Sequence, residues 1–518
     1  MINKKLKLIV IGLDAATFTV IDKLTENKQL RNINILLKNG VKGTCYSTIP
    51  SVTPTAWTSI ASGKNPGNTG VYHHLNRITE RSIETQIVSS SMIRRANPIW
   101  DILSKYGFKV GIWNYPLLYP PYPVNGFMVS GLGSSSESNI TKPESMKKEL
   151  LNLTDGDYPI SIPYTKSVYN DPEVFFNEAE ILLDKNKKVL FSLLGKKIDF
   201  FFGVISVTDF LHHYAWKYFD KKHPLYSNQS KYNKKFVEIW TSVDDLIGKI
   251  YSNKYYKTNL MIVSDHGAGT VNNTIFLNNF FIQKNIATLD NLLYYYFKKL
   301  ISKIANEIMA NTKFQNTDLV KLNMNRTRAL NISSGMACIL INKNIVREDD
   351  YFKLRKKISE DVKKFCNKNE ISCKFYYPEK IYSGKYLGYA PDIIIEADSQ
   401  ESMFVRQINW KGKIFERRIL NKNHSGNHRR EGIFIVTGEK IKKDLDIGKI
   451  SILDIAPTIL HIFDLPLPSD MDGRILNEIF LEKAVNNRKK SKIKKSDNNI
   501  EKMIIKRKIE NLKINGRI

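Results

Sequence analysis

The sequence predicts an α/β fold: a mostly parallel central sheet sandwiched by helices, with an inserted cap subdomain. Three observations carry this. Short β-branched runs at 6–13, 109–113, 200–206, 259–264 and 432–437 are apolar at nearly every position, the pattern of strands buried on both faces. Helical patterns, such as 97–106 and Pro172–Leu194, lie between the runs. The runs end in polar or small residues, at Asp14, Thr208-Asp209, Asp265-His266 and Gly438. In such sheets ligands gather beyond the carboxyl ends of the strands.

Taken in order, the run LKLIVIGL at 6–13 follows a basic start and so shares features with a secretion signal. It is short, stops at Asp14 and has no small-residue cleavage site, so it reads as a buried first strand. Next, TIPSVTPTAWTSIASG continues as a helix over 56–62, and Pro54 predicts extended backbone at Thr53. Residues 97–113 form a helix–strand unit, and a long helix over Pro172–Leu194 precedes the strand at 200–206. That strand opens onto DFLHH, from Asp209 to His213; the strand at 259–264 opens onto Asp265-His266-Gly267. Between 283 and 380 the alternation breaks. A basic, aromatic-rich helical stretch at 290–314, a polar loop and a strand at 337–342 predict the inserted cap. The core is thus 1–282 with 381–482, and 483–518 is a basic tail with weak helical periodicity at 500–512.

Hydrophobic residues make up 42% of the 518 and charged residues 25%, which excludes collagen-like, low-complexity and wholly disordered classes. No stretch reaches the ~18–20 uninterrupted apolar residues of a membrane span. Lys and Arg number 79 against 51 Asp and Glu, giving +28, so a partner bearing phosphate, nucleic acid or anionic lipid is expected. The tail holds 13 of the basic residues against 3 acidic ones, about a third of the excess. Cys45, Cys338, Cys366 and Cys373 form no CxxC pair, which argues against a Cys-zinc site or disulfide framework and predicts a reducing cytoplasm.

Four strand ends offer metal ligands: Asp14; the loop with Thr53; Asp209 with His213; and Asp265 with His266. A late string, HSGNHRREG, adds His424 and His428. Asp and His together suit zinc or a similar divalent ion. Asp209 and His213 are four apart and share a helix face, so they can grip one ion. Adjacent Asp265 and His266 splay around a bend that Gly267 permits. Singly, each has a plainer reading as a helix cap, a surface pair or a turn; their joint occurrence and order change the balance.

That order resembles the alkaline phosphatase superfamily, and within it the type I phosphodiesterase/nucleotide pyrophosphatase branch with its prokaryotic phosphohydrolase relatives. TIPSVTPTAWTSIASGKNPGNTGVY looks like the nucleophile loop and helix of that family, and SDHGAG, YLGYAPDIII, HRREGIFIVTG and DIAPTIL also fit, from residue 6 to about 476. The resemblance implies two divalent metal ions, with zinc expected and manganese or iron as alternatives. One would be held by Asp14, Thr53, Asp265 and His266, the other by Asp209, His213 and His428. It implies Thr53 as nucleophile: coordination lowers the hydroxyl pKa, Thr53 displaces an alcohol or nucleotide, and water hydrolyses the phospho-threonine. The other reading of Thr53 is a helix cap. The family spacings select His213 over His212 and His428 over His424. Where the family often has His-Gly, this chain has Thr69-Gly70; the nearby phosphoryl-contacting Asn leaves His74 and Asn76 as candidates. Lys64 in SGKNPG is a further phosphate contact or a solvated lysine, and Arg429 and Arg430 either meet substrate anions or lie on the surface.

The resemblance implies a hydrolase of phosphodiester or nucleotide pyrophosphate bonds. A phosphomonoesterase or phosphotransferase on the same site is the alternative. Sulfatase is disfavoured because T53-P-T-A-W lacks both Cys and the following Arg of sulfatases. The rival of another class is a basic membrane- or nucleic-acid-binding protein, from the charge, RKKSKIKK at 488–495 and LLYYYFKKLISKI at 292–304. The expected partner is a small-molecule phosphate ester, without specific nucleic acid and with peripheral contact to anionic membrane left open.

Overall fold

A computed structural model describes residues 7–134, 138–253, 259–290, 321–397, 401–409, 411–417 and 424–481. The stretches at 292–304, 488–495 and 500–512, and 291–314 of the aromatic stretch, lie outside them. Among the described residues, no helix is long and apolar enough to cross a membrane.

Nine strands build the central sheet: β1 (Leu8–Leu13), β2 (Val41–Tyr46), β3 (Val110–Tyr115), β4 (Gly126–Ser130), β5 (Thr141–Lys142), β6 (Phe200–Ile205), β7 (Asn259–Val263), β8 (Glu431–Thr437) and β9 (Leu445–Ser451). Their order is β9-β2-β8-β7-β1-β6-β3-β4-β5. β1 pairs in parallel with β6 and β7, and β3 in parallel with β4 and β6. β8, although as apolar as its neighbours, runs antiparallel to both β7 and β2. Burial on both faces removes the alternation a half-exposed strand would show. Ile9, Ile11 and Leu13 enter one core; Leu8 and Val10 enter the other. Helices α2 (Pro172–Leu194), α3 (Val207–Phe219) and α4 (Tyr232–Ser252) cover the first core, and α1 (Thr53–Ser62) covers the second through Trp57 and Ile60. Each such fully buried side chain contributes roughly 1.5–3 kcal/mol.

A separate antiparallel sheet is ordered Ala329–Asn331, Ala337–Ile341, Ile393–Ala397, Cys373–Tyr376. The helix Glu348–Lys368 packs Leu354, Ile358 and Val362 into its core. This sheet starts inside the interval 283–380 but takes Ile393–Ala397 as an inner strand, past the boundary expected from sequence. The loop ahead of that strand carries Asp392. Its carboxylate meets Arg77 of the main body in a buried pair and accepts from Ile341 N at 2.6 Å and Tyr351 Oη at 2.8 Å.

Candidate active site

Strand direction gathers the candidate ligands at one edge. Asp14 directly follows β1, Asp265 and His266 follow β7, and Asp209 lies in the first turn of α3, after β6. β8 is antiparallel, so its amino end lies at that edge, and the chain entering it carries His428. There Gly426–Arg429 pairs with Gly267–Thr270, setting His428 opposite Ala268.

Two overlapping ligand clusters result: Asp209, His266 and His428; and Asp14, Asp265 and His266, each with one ligand atom per residue within 4.8 Å of the others. His213 joins the first, its Nε2 3.3 Å from Asp209 Oδ1 and 2.8 Å from His428 Nε2. The imidazoles are oriented from behind. His213 Nδ1 lies 3.0 Å from Gly426 O, His428 Nδ1 2.9 Å from Ser51 O, and His266 Nδ1 3.1 Å from Gly267 O. A carbonyl only accepts, so each Nδ1 carries a proton and each ring turns its Nε2 to the centre. The Nε2 atoms of His213 and His428, 2.8 Å apart, are relieved by a shared proton or by a bound cation. Asp14 Oδ1, Asp209 Oδ1, Asp265 Oδ2 and His266 Nε2 are moreover buried without a hydrogen-bond partner. Orphaned acceptors of this kind are costly, and a set made only of carboxylates and imidazoles fits divalent ions.

Charge agrees with that fit. Burial, then Asp209, pushes the Asp14 carboxyl up to about 7. Burial, then Asp14 and Asp209, raises Asp265 well above the usual range. Burial also opposes ionisation of Asp209, but His213 and His428 outweigh it and hold that carboxyl well below normal. Burial works against charge on His428, yet the Asp209 carboxylate 3.5 Å away raises the imidazole. Burial, then His428, keeps His266 well below its ordinary value.

Thr53 opens α1, between contacts to both clusters. Ser51 O accepts from His428, and Trp57 Nε1, one turn along, donates to Asp14 Oδ2 at 3.2 Å. The extended residue is Val52, at the N-cap (φ −133°, ψ 145°), one position earlier than the proline rule indicates. Pro54 sits in the first turn, where a missing N–H costs nothing. No side-chain hydrogen bond caps this helix, so Thr53 is not its cap.

His212 faces away. Its Nδ1 meets Ala15 O at 3.0 Å and its Nε2 accepts from Trp240 Nε1 at 3.2 Å. That contact braces Ala15, whose φ of +59° is left-handed and whose N–H donates to Asp265 Oδ1 at 3.3 Å. His424 lies beside His213, ring centroids 4.8 Å apart, but enters neither cluster. Gly267 is required for a different reason from the bend expected: its φ is not positive, and a Cβ there would overlap Glu431 O. Asn76 spends its side chain on Tyr72 N and His73 O, both at 2.7 Å, closing a turn. Lys64 spends its charge on Asp470 at 2.5 Å. His74 packs against His73; burial, then His428, pushes its imidazole down to about 4. Sequence reasoning missed Trp57 and the Ser51 carbonyl. The i,i+4 spacing of Trp57 from Thr53 was its only signal, and a backbone carbonyl leaves none.

The description "Type I phosphodiesterase / nucleotide pyrophosphatase" matches residues 8–429. No curated protein matches the chain in sequence. Among solved structures, human ectonucleotide pyrophosphatase / phosphodiesterase 5 is 14% identical, with a TM-score of 0.51 over 92% of this chain and 99% of that one. The murine protein is 13% identical, with a TM-score of 0.50 over 89% and 96%. An inactive threonine-to-alanine variant of the murine protein, in complex with AMP, gives a TM-score of 0.50 at 13% identity over 90% and 96%. At these identities the likeness establishes the fold, that of an alkaline phosphatase-like sheet flanked by helices.

Proposed function

Because this chain belongs to the type I phosphodiesterase/nucleotide pyrophosphatase family, we propose that it is a two-metal hydrolase of phosphodiester or nucleotide pyrophosphate bonds, acting through phosphorylated Thr53. The observation that carries the metal reading is the convergence of two carboxylate–imidazole clusters, four of whose acceptor atoms are buried without a hydrogen-bond partner among the described residues. Asp14, Thr53, Asp265 and His266 would hold one divalent ion, and Asp209, His213 and His428 the other; zinc suits this donor set. Bound there, the ions lower the pKa of a coordinated hydroxyl and neutralise phosphoryl charge.

The protein's own groups do the rest. Thr53 Oγ1 gives up its proton and attacks phosphorus, the bond to the departing alcohol or phosphate breaks, that group takes up a proton, and the phosphoryl group passes to Thr53 with its remaining substituent still attached. Water then cleaves the phospho-threonine and restores the hydroxyl. The amides of Thr53 and Thr55 at the start of α1 would donate to phosphoryl oxygens. Trp57, through Asp14, and Ser51, through His428, position ligands on both sides of Thr53. The four-stranded sheet lines part of the adjoining cavity and governs substrate choice. Support for the threonine comes from the murine neighbour, whose inactive variant carries alanine in place of a threonine.

The test is hydrolysis of bis-p-nitrophenyl phosphate by the full chain, with a monoester arm. Activity disappears with chelator and returns with zinc or manganese. Thr53→Ala lowers kcat by roughly 10⁴-fold or more, and mass spectrometry of acid-quenched wild type finds a p-nitrophenylphosphoryl group on Thr53. Full activity in the Thr53→Ala protein defeats the assignment.

A further inference from the structure

Beside His428 lies a cavity of about 270 Å³, walled by the end of β2, the segment 427–431 and the four-stranded sheet. Two consecutive arginines border it and are used differently. Arg429 donates to His428 O at 2.8 Å and to Thr270 O, and Glu431, Glu396 and Glu401 surround its charge. Its guanidinium is bound up in the framework. Arg430 is held only by its backbone, whose carbonyl accepts from Ser47 N at 2.9 Å. Among the described residues its guanidinium has no carboxylate partner, and its Nε is buried without an acceptor. It lies over the face of Tyr46, 5.7 Å from the ring centroid.

A second buried donor lies close by. Tyr382 Oη has no partner either, and Tyr382 shares an apolar cluster with the cavity residue Met336. Tyr382 is near enough for the Arg430 charge to oppose the rise that burial imposes on its hydroxyl. A buried guanidinium N–H and a buried phenol, both lacking acceptors, are costly unless an acceptor arrives. The fork of arginine matches carboxylate and phosphate oxygens. An aromatic slot for a base is not available in this cavity. Tyr46 is its single aromatic lining residue, and Arg430 and Lys449 both lie over that ring.

We propose that Arg430, which lines this cavity, forms an anion-binding subsite there with Tyr382 in support behind the lining, taking a second anionic group, carboxylate or phosphate, carried on the polar substituent of the substrate. This rests on the hydrolase reading above and deepens it. Arg430 is a specificity-determining residue here: the metal ligands receive the reacting phosphoryl group, and Arg430 selects what is attached to it.

Three p-nitrophenyl phosphodiesters test it, made from glycerol, from glycerate and from glycerol 3-phosphate. Their second substituent bears no charge, a carboxylate and a phosphate respectively. With the metal-loaded full chain, at least one acidic ester shows kcat/KM ten or more times that of the glycerol ester, mainly through KM. The two acidic arms identify which anion is taken. Arg430→Gln removes that preference, Arg430→Lys keeps part of it, and Tyr382→Phe lowers it by a smaller factor. Calorimetric titration with the same esters gives a readout independent of turnover. Tenfold tighter binding of an acidic ester without cleavage of any sinks the hydrolase reading and leaves the subsite standing. Equal binding of all three esters by wild type, or a preference that survives Arg430→Gln, overturns the subsite.

Discussion

Asp14→Asn separates what this site costs the fold from what it does. Asp14 is 1% exposed, with one oxygen on Trp57 and the other without a partner. Burial, then Asp209, moves its carboxyl from the ordinary 3.8 to about 7. That difference is worth on the order of 4 kcal/mol, at ~1.4 kcal/mol for each tenfold change. An acid that is harder to ionise when folded binds its proton more tightly in the native state. Its contribution therefore declines as pH rises from about 4 through about 7 and is flat above. Asp265 is raised in the same sense, partly by Asp14, so removing Asp14 relieves it as well. The depressed Asp209 acts oppositely, losing stability as pH falls below the ordinary carboxylate range, outside this window. In chelator at pH 8, Asp14→Asn is thus more stable than wild type by up to about 4 kcal/mol, and at pH 4 the two converge. With an m-value of roughly 3 kcal/mol/M, the urea midpoint at pH 8 rises by about 1 M. With zinc the order reverses, because wild type gains binding free energy that the variant forgoes. Urea titrations at pH 4 and 8, with and without zinc, read all four cases. A metal-free variant less stable than wild type at pH 8 would refute the argument that these carboxylates are held together against their own repulsion.

Other perturbations act on single contacts. Trp57→Phe removes the indole donor to Asp14 Oδ2, and zinc affinity by competitive chelation falls 10–100-fold, as when the support behind a ligand is lost. Thr53→Ser keeps a hydroxyl at the helix start and retains measurable kcat, where Thr53→Ala does not. Asp392→Asn leaves Arg77 buried without its counter-charge and costs about 3–5 kcal/mol in chemical denaturation. Gly267→Ala forces a Cβ into Glu431 O; hydrogen exchange should show faster opening of the amides that pair Gly267–Thr270 with Gly426–Arg429, and an unchanged rate would count against the close approach.

Much of this was legible in the chain because buried parallel strands leave a plain signal. The runs at 6–13, 200–206 and 259–264 are apolar throughout, and their polar ends mark the edge where β1, β6 and β7 deliver ligands. His213 was separable from His212 by the family spacing and helical geometry together, and the structure turns His212 to Trp240 and Ala15. Strand direction was less readable: β8 has the same composition as its neighbours, and only pairing partners reveal that it runs the other way. The end of the four-stranded sheet was hidden for a similar reason, since Ile393–Ala397 lies beyond position 380 yet pairs with two strands that both precede it. Lys64 and Asn76 looked available because their partners, Asp470 and the turn at 72–76, are set by tertiary structure.

The reversal of β8 has a functional consequence. A parallel strand reaches this edge with its carboxyl end and then departs into a helix, as β6 does into α3. An antiparallel strand reaches it with the segment that enters the strand, so 426–430 crosses the edge before the chain turns back into the sheet. One short stretch thereby supplies the ligand His428, the framework cation Arg429 and the uncommitted Arg430. The Gly426–Arg429 ladder with Gly267–Thr270 fixes it to the segment that carries Asp265 and His266. A shift of that ladder would move a metal ligand and the anion subsite together. Substitutions that loosen it without touching either, as at Gly267, should therefore lower metal affinity and blunt discrimination between acidic and neutral esters in the same protein.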